Sequence, residues 1–390
     1  MATQTPKNYS AIGKRPVRHD GADKVTGKAQ YGADLNLPRM LFGKVLRSPH
    51  AHARIKSIDL SAALAHPEVK AIVTSSDLSP LPDKPAEVGE DLYANMKYVR
   101  DRILASDKVL FKGHPVAAIA ANGLHEAEEL LSLIKVEYEV LESVTDVESA
   151  MSENAPILHG TIRFASMSGD EVHGSNIASH DQYILGDINE GFKKADLTIE
   201  REYRTKTVHQ GYIEPQNGTA SWRSDGHVTI WCSSQGHFGI RDQVSTILGL
   251  PVSKVTIVPM EIGGGFGGKL PCYLEPLAAL LSKKTGTPVK MFMTRSEVIE
   301  ASGPTSGSFV RVKIGVTNDG KITAAKGYLA FEAGAFPGSP IGGATACMLS
   351  PYDIENLQLD GYDVVDNKPK TTAYRGPGAP IGALAVETVI

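Results

Sequence analysis

Residues 261–270 read EIGGGFGGKL, five glycines around one phenylalanine and a closing lysine. Consecutive glycines reach positive φ and turn successive N–H groups inward, so such a loop can cradle an anion or let a bulky ligand lie against bare backbone. The setting is strand, loop, helix: KVTIVPMEI runs in, and LPCYLEPLAALLSKKTG follows with Pro276 near its first turn, Lys283 and Lys284 in its last and Gly286 beyond. Two phosphate motifs fit formally. Gly263-x4-Gly268-Lys269 has P-loop spacing, but Leu270 stands where a hydroxyl must hold Mg²⁺, and Pro271 follows. Gly263-x-Gly265-x-x-Gly268 matches the dinucleotide fingerprint of a nucleotide-binding oxidoreductase, yet the helix starts late and Arg295 sits near the place of a ribose-binding acid. Tight packing alone is a third reading, and five glycines exceed what it usually asks.

At 390 residues the chain exceeds the usual length of one domain, so two are expected. A net charge of -4, with no basic run able to track a phosphate backbone, argues against nucleic acid as a partner. Cys232, Cys272 and Cys347 stand singly, encoding neither a disulfide framework nor an iron–sulfur or zinc site, a pattern that suits a reducing cytoplasm. The N-terminus lacks a secretory apolar core, and no stretch reaches the roughly 18 apolar residues that span a bilayer, so the chain reads as soluble, with no membrane contact.

Elements that could position the loop follow from periodicity. From about Ala22 to Glu142, MLFGKVLRS, VKAIVTS, VLFKGHPVAAIAA and KVEYEVLE read as strands around one helical run, HEAEELLSLI. Residues 146–189 shift to Ser, Gly, His and Asn, the composition of a connecting arm. Beyond it, GHVTIWCSS, KVTIVPMEI and PVKMFMTR alternate with helical runs, and Asn318-Asp319-Gly320 between two alternating segments predicts a hairpin.

Three linked motifs carry a resemblance: WCSSQGHFGIRDQVSTILGLP, then GGGFGGK, then KTTAYRGPGAP. In this order and spacing they resemble the molybdenum-cofactor-binding large subunit of the xanthine dehydrogenase and aldehyde oxidase family. DKVTGKAQYGADL and MLFGKVLRSPHAHARIKSIDLSAAL are similar to the opening of that family's α/β hammerhead domain. The resemblance covers about Arg15 to Ile390. It implies an α+β chain: an α/β hammerhead domain over 15–145, a connecting segment over 146–189, and over 190–390 the first half of a mixed α/β molybdopterin-binding domain, incomplete at its C-terminus. The implied cofactor is Mo-molybdopterin, plain or as the cytosine dinucleotide, with the metal held by the pterin dithiolene and by no protein side chain. The implied partners are a C-terminal molybdopterin-binding half or subunit, a subunit with 2Fe-2S clusters, a subunit with FAD, and a small-molecule substrate. The implied activity is a hydroxylase inserting water-derived oxygen into an aldehyde or N-heterocycle.

Carried over residue by residue, the resemblance assigns Gly265, Phe266, Gly267 and Gly268 to cofactor binding, the glycines by close N–H approach and Phe266 beside the metal. Gln235 matches the glutamine that hydrogen-bonds an oxo ligand, and Arg375 the arginine beside the cofactor, both with catalytic roles. Each residue also has a plainer reading: a core phenylalanine, a surface amide, a solvated arginine. Lys269 reads equally as a phosphate partner or a solvent-facing cap. Glu214 before Pro215 reads as a turn residue rather than an acid catalyst, and His50, His52 and His114 as structural or exposed. Departures matter too. Purine-oxidising members place a glutamate where Leu270 stands and a substrate-stacking phenylalanine where Pro377 stands, and carbon monoxide oxidisers have a cysteine in the arginine loop. The family's general-base glutamate lies beyond the arginine loop. Glu387 is outside its motif, so the base is expected on a missing C-terminal part or on a partner chain, the sequence being either a fragment or one half of a split subunit; a non-catalytic assembly module is the remaining alternative.

Overall fold

A computed structural model describes residues 9–87, 93–165 and 171–390. Its longest sheet has seven strands in the order Val255–Pro259, Val228–Cys232, Asn217–Trp222, Val289–Phe292, Leu41–Arg47, Pro115–Ala121 and Ala71–Thr74. The seam of this sheet joins segments far apart in sequence: Leu41–Arg47 runs parallel to Val289–Phe292, with Leu41 opposite Val289 and Gly43 opposite Met291. A Cβ on Gly43 would lie 2.7 Å from Met291 Cγ, so the seam closes only over a glycine. Residues on either side of the 146–189 stretch therefore share one sheet and one core, where Val45, Val73 and Ala118 pack with Ile230, Leu277 and Leu281. Helix Glu275–Thr285 is buried from Glu275 to Ser282, which explains why its apolar residues form no single stripe.

A second sheet has the order Ile177–Leu185, Leu357–Val365, Ile322–Gly334, Ser308–Val316 and Leu197–Thr205. Ser308–Val316 and Ile322–Gly334 form the expected antiparallel hairpin, with Gly320 at φ 88° in its turn. Helices Ile341–Cys347 and Ala379–Val389 cover one face through Ile341, Ala344, Ala385 and Val386. The stretch 146–189, read as a connecting arm, supplies the edge strand Ile177–Leu185. Its polar composition conceals the strand because cross-strand hydrogen bonds replace apolar alternation: His180 and Gln182 both reach Asp360 on the neighbouring strand. The N-terminal unit also holds a helix that the periodicity missed, Met96–Ile103, started by the Asn95 side chain, which accepts from Lys97 N at 3.0 Å. No helix among the described residues is long and apolar enough to cross a membrane.

An aromatic cluster ties that helix to the second sheet. Phe336, just past Ile322–Gly334, lies 5.9 Å from Tyr98, 5.9 Å from His114 and 5.5 Å from His159, ring centre to ring centre. His114 accepts from Leu110 N at Nδ1 and donates from Nε2 to Asp101 O at 2.8 Å; His159 donates to Ala335 O at 2.6 Å. His114 is buried and His159 partly buried, each as a neutral donor, and loss of solvent draws each down to about 4 from the ordinary 6.5. The unfolded chain therefore binds these two protons at higher pH than the fold does. Their contribution is complete above pH 6.5 and is lost as pH falls towards 4. Thermal melts should show the midpoint dropping across that window, and His114→Gln, whose amide can make both contacts, should flatten the drop. A midpoint equally steep in wild type and variant would remove this role.

Candidate functional site

Val228–Cys232 and Val255–Pro259 are parallel neighbours, with Trp231 opposite Val258 and Cys232 opposite Pro259. Parallel neighbours release their following loops at the same edge, side by side. The loop holding Gln235 thus leaves the sheet beside the glycine loop. Gln235 N donates to Lys269 O at 3.0 Å, and Gln235 Oε1 accepts from Gly267 N at 2.8 Å and Lys269 N at 3.3 Å. Those two donors orient the amide: the oxygen must face the loop, so Nε2, which has no partner among the described residues, is left as a donor on the cleft that Gln235 lines. The third motif arrives from the second sheet, after Leu357–Val365. Arg375 N donates to Phe266 O at 2.9 Å, and Gln210 Nε2 bonds Ala373 O at 2.9 Å and Thr372 Oγ1 at 3.0 Å. The structure brings Gln235, Phe266 and Arg375 together.

Most of the loop's glycines are required by the protein itself. A Cβ would stand 2.4 Å from Glu214 Cβ at Gly263, 2.4 Å from Gln235 Oε1 at Gly265, 2.3 Å from Ala373 O at Gly267 and 2.7 Å from Tyr212 Cε1 at Gly268. The N–H groups of Gly267 and Gly268, expected to approach a ligand, are engaged within the protein by Gln235 Oε1 and Gly265 O. The N–H groups of Gly264, Gly265 and Phe266 have no partner among the described residues, and they form the run a ligand can use. Phe266 sits in the left-handed region at φ 52° with 44% of its surface exposed; it is not a core residue. Such a residue costs about 1–2 kcal/mol, offset here by its carbonyl's bond to Arg375 N.

Lys269 follows neither of its two readings. It is 2% exposed, lies 5.1 Å above the Tyr212 ring, and pairs with Glu214 Oε2 at 2.7 Å. Burial lowers the ammonium pKa and Glu214 opposes the shift. Glu214 is more than a turn residue: it also accepts from Gly263 N at 2.7 Å, Ser233 Oγ at 2.8 Å and Asn217 Nδ2 at 3.2 Å. Glu387 is remote from this network and accepts the Tyr352 hydroxyl at 2.7 Å.

Residues 170–390 match the family model described as the molybdopterin cofactor-binding domain, and residues 26–142 that of the aldehyde oxidase and xanthine dehydrogenase a/b hammerhead domain. The chain belongs to the molybdopterin-binding subunits of that family. The large molybdopterin subunit of nicotinate dehydrogenase from Eubacterium barkeri is 33% identical over 385 residues, covering 98% of this chain and 85% of that one. A probable xanthine dehydrogenase component from Bacillus subtilis strain 168 is 32% identical, with 95% of this chain covering 47% of its length. The crystal structure of quinoline 2-oxidoreductase from Pseudomonas putida 86 superposes with a TM-score of 0.83 at 26% identity, over 97% of this chain and 47% of that one. The chain thus spans most of the first relative and about half of the other two.

The residues present fit a molybdopterin. Three unpartnered backbone N–H groups, the free Gln235 amide and the exposed Arg375 guanidinium, which has no carboxylate within 4 Å among the described residues, offer only donors, as an oxygen-rich, anionic group requires. A cleft of about 1630 Å³ runs from Gln235, Gly267 and Leu270 to the far wall formed by helix Met96–Ile103 and the segment Phe336 to Gly338. The cleft residues of the missed helix escaped sequence reading, and so did the pairing of Glu214, read as a turn residue, with Lys269. The Asn95 cap followed by Met96, Tyr98, Val99 and Ile103 was the signal for that helix; for Glu214 the only cue was an acid 55 positions before a loop lysine. Glu214→Gln, which leaves Lys269 buried without a counter-charge, should cost about 3 kcal/mol or more in urea unfolding, and Glu214→Gln with Lys269→Met should recover most of it. Additive losses in the double variant would refute the coupling.

Proposed function

We propose that this chain is the part of a molybdenum hydroxylase that carries the cofactor's glycine, glutamine and arginine loops. Its complex would oxidise an aldehyde or N-heterocycle with water-derived oxygen and pass electrons to 2Fe-2S and FAD on partner subunits. The observation that carries the reading is the convergence of three loops from two sheets on one edge, each leaving donors free. Nicotinate, xanthine and quinoline, the compounds in the relatives' names, are N-heterocycles, which favours that substrate class. The Eubacterium barkeri subunit, matched over 85% of its length, favours a molybdopterin-binding region divided between two chains, the second bearing the general base.

When bound, the molybdenum cofactor supplies the two-electron redox chemistry and the transferred oxygen. The chain's own residues do the rest. Gln235 Nε2, aimed by the two loop N–H groups behind it, would be a donor holding an oxygen of the bound cofactor. Arg375, with a fixed charge and a planar fork, stabilises negative charge developing on oxygen. Phe266, left-handed, 44% exposed and bonded through its carbonyl to Arg375 N, would offer its ring beside the bound cofactor to keep water from the reacting carbon. Leu270 lines the cleft with an apolar side chain where purine oxidisers would present an acid, so ring contact there is hydrophobic.

Elemental analysis of the complex purified from its own host should give molybdenum near one per chain, with iron in accompanying subunits; neither metal in a folded, intact complex would overturn the reading. Arg375→Ala should lower turnover at least tenfold, about 1.4 kcal/mol of barrier. Gln235→Glu keeps the two acceptor contacts to the loop but removes the donor. It should lose activity at least tenfold with molybdenum content and melting point retained, and wild-type turnover would remove its role.

A further inference from the structure

We infer that Arg102 and Lys370 hold a carboxylate of the substrate, so that the preferred substrate is an anionic ring compound with its charged group at the wall of the cleft away from Gln235. The inference rests on the function proposed above. Three acids and three bases line the cleft: Asp83, Asp242 and Asp363 against Arg102, Arg241 and Lys370. Arg241 pairs with Asp242 at 2.9 Å. Asp363 receives Gly338 N and Ser339 N, both at 2.7 Å, and Asp83 receives Asn95 Nδ2 at 2.6 Å. Arg102 and Lys370 have no carboxylate within 4 Å among the described residues; both lie within the cleft's own boundary.

Their few partners are neutral. Lys370 Nζ donates to Gly338 O at 2.7 Å and Thr371 O at 3.0 Å, which leaves its third proton unused. Arg102 Nη2 donates to Cys272 O at 3.3 Å, its guanidinium lies 5.6 Å from the Tyr273 ring centre, and its Nε is buried without a partner. Tyr273, beside Arg102, accepts Gly303 N at its hydroxyl at 2.9 Å, and a Cβ on Gly303 would lie 2.3 Å from Lys370 O, so the Arg102 and Lys370 segments meet at one wall. Burial draws the Lys370 ammonium down to about 8; Asp363 opposes the shift and the charge of Arg102 adds to it. Asp363 is the acid nearest in effect to Lys370, but its oxygens are taken by Gly338 N and Ser339 N, so two half-buried cations with no carboxylate in contact among the described residues favour a further anion between them. The cleft is lined besides by Phe336 on this wall and by Phe238 and Leu270 on the Gln235 side, apolar surface for a flat ring, and by His237, whose buried Nε2 lacks a partner among the described residues. A ring lying against these residues would point its carboxylate at Arg102 and Lys370 and its other end at the glycine loop.

The test uses the complex purified from its own host and two pairs of compounds equal in shape and unequal in charge: nicotinate with nicotinamide, and 4-carboxybenzaldehyde with 4-carbamoylbenzaldehyde. For the pair the enzyme oxidises, kcat/KM for the anion should exceed that for the amide at least tenfold. Lys370→Met and Arg102→Met should each raise KM for the anion and narrow that ratio, while Lys370→Arg keeps it. Equal or better turnover of the amide by wild type overturns the inference without using any variant, and leaves the hydroxylase reading standing. Loss of molybdenum from both methionine variants, with the selectivity of the loaded remainder unchanged, would show that the anion held here is a cofactor phosphate, which also overturns it. Failure of a molybdenum-loaded complex to oxidise any aldehyde or N-heterocycle would overturn the proposed function itself.

Discussion

A buried ammonium must find a counter-charge, and the site of this protein is organised by that requirement. Lys269 closes the glycine loop and is sealed from solvent, so it can stay charged only where Glu214 meets it at 2.7 Å. Glu214 in turn draws in Gly263 N, Ser233 Oγ and Asn217 Nδ2, so one carboxylate joins both ends of the glycine loop, the start of the Gln235 loop and the beginning of strand Asn217–Trp222. Removing side chains at Gly263, Gly265 and Gly268 lets the loop lie flat enough on Glu214, Gln235 and Tyr212 for the pair to form. The free N–H run at Gly264 to Phe266 is the part of the loop these contacts do not use.

Sheet topology sets the other constraint. Two adjacent parallel strands put the Gln235 loop and the glycine loop at one edge, and the second sheet delivers the Arg375 segment onto Phe266. The aromatic cluster of Tyr98, His114, His159 and Phe336 then fixes helix Met96–Ile103 against that second sheet, and this packing makes the far wall of the cleft. Residues of the N-terminal unit thereby face the candidate site across a shared core. The seam between Leu41–Arg47 and Val289–Phe292 is what makes the arrangement rigid, because ladder hydrogen bonds cross it.

Much of this was legible in the sequence where the signal is local. The strands around the glycine loop, the helix that opens at Pro276 and ends at Gly286, and the hairpin at Gly320 all follow from turn and cap chemistry, and all are present. The three motifs, read together, named the family. The polar edge strand Ile177–Leu185 and the helix Met96–Ile103 were not legible: one is held by side-chain bonds across strands, and the other is too short for periodicity to separate from its surroundings.

Which residue types gather at the loop is set along the chain, since positive φ and close approach demand glycine whatever surrounds them. What each one touches is not. That Lys269 faces Glu214 rather than a phosphate, that Gln235 turns its oxygen inward and its amide nitrogen out, and that Arg102 shares a cleft with Lys370 depend on contacts between residues 32 to 268 positions apart. These are products of the packed fold, because Coulomb and hydrogen-bond partners are chosen by distance in space, and the chain brings those positions together only when its two sheets have packed.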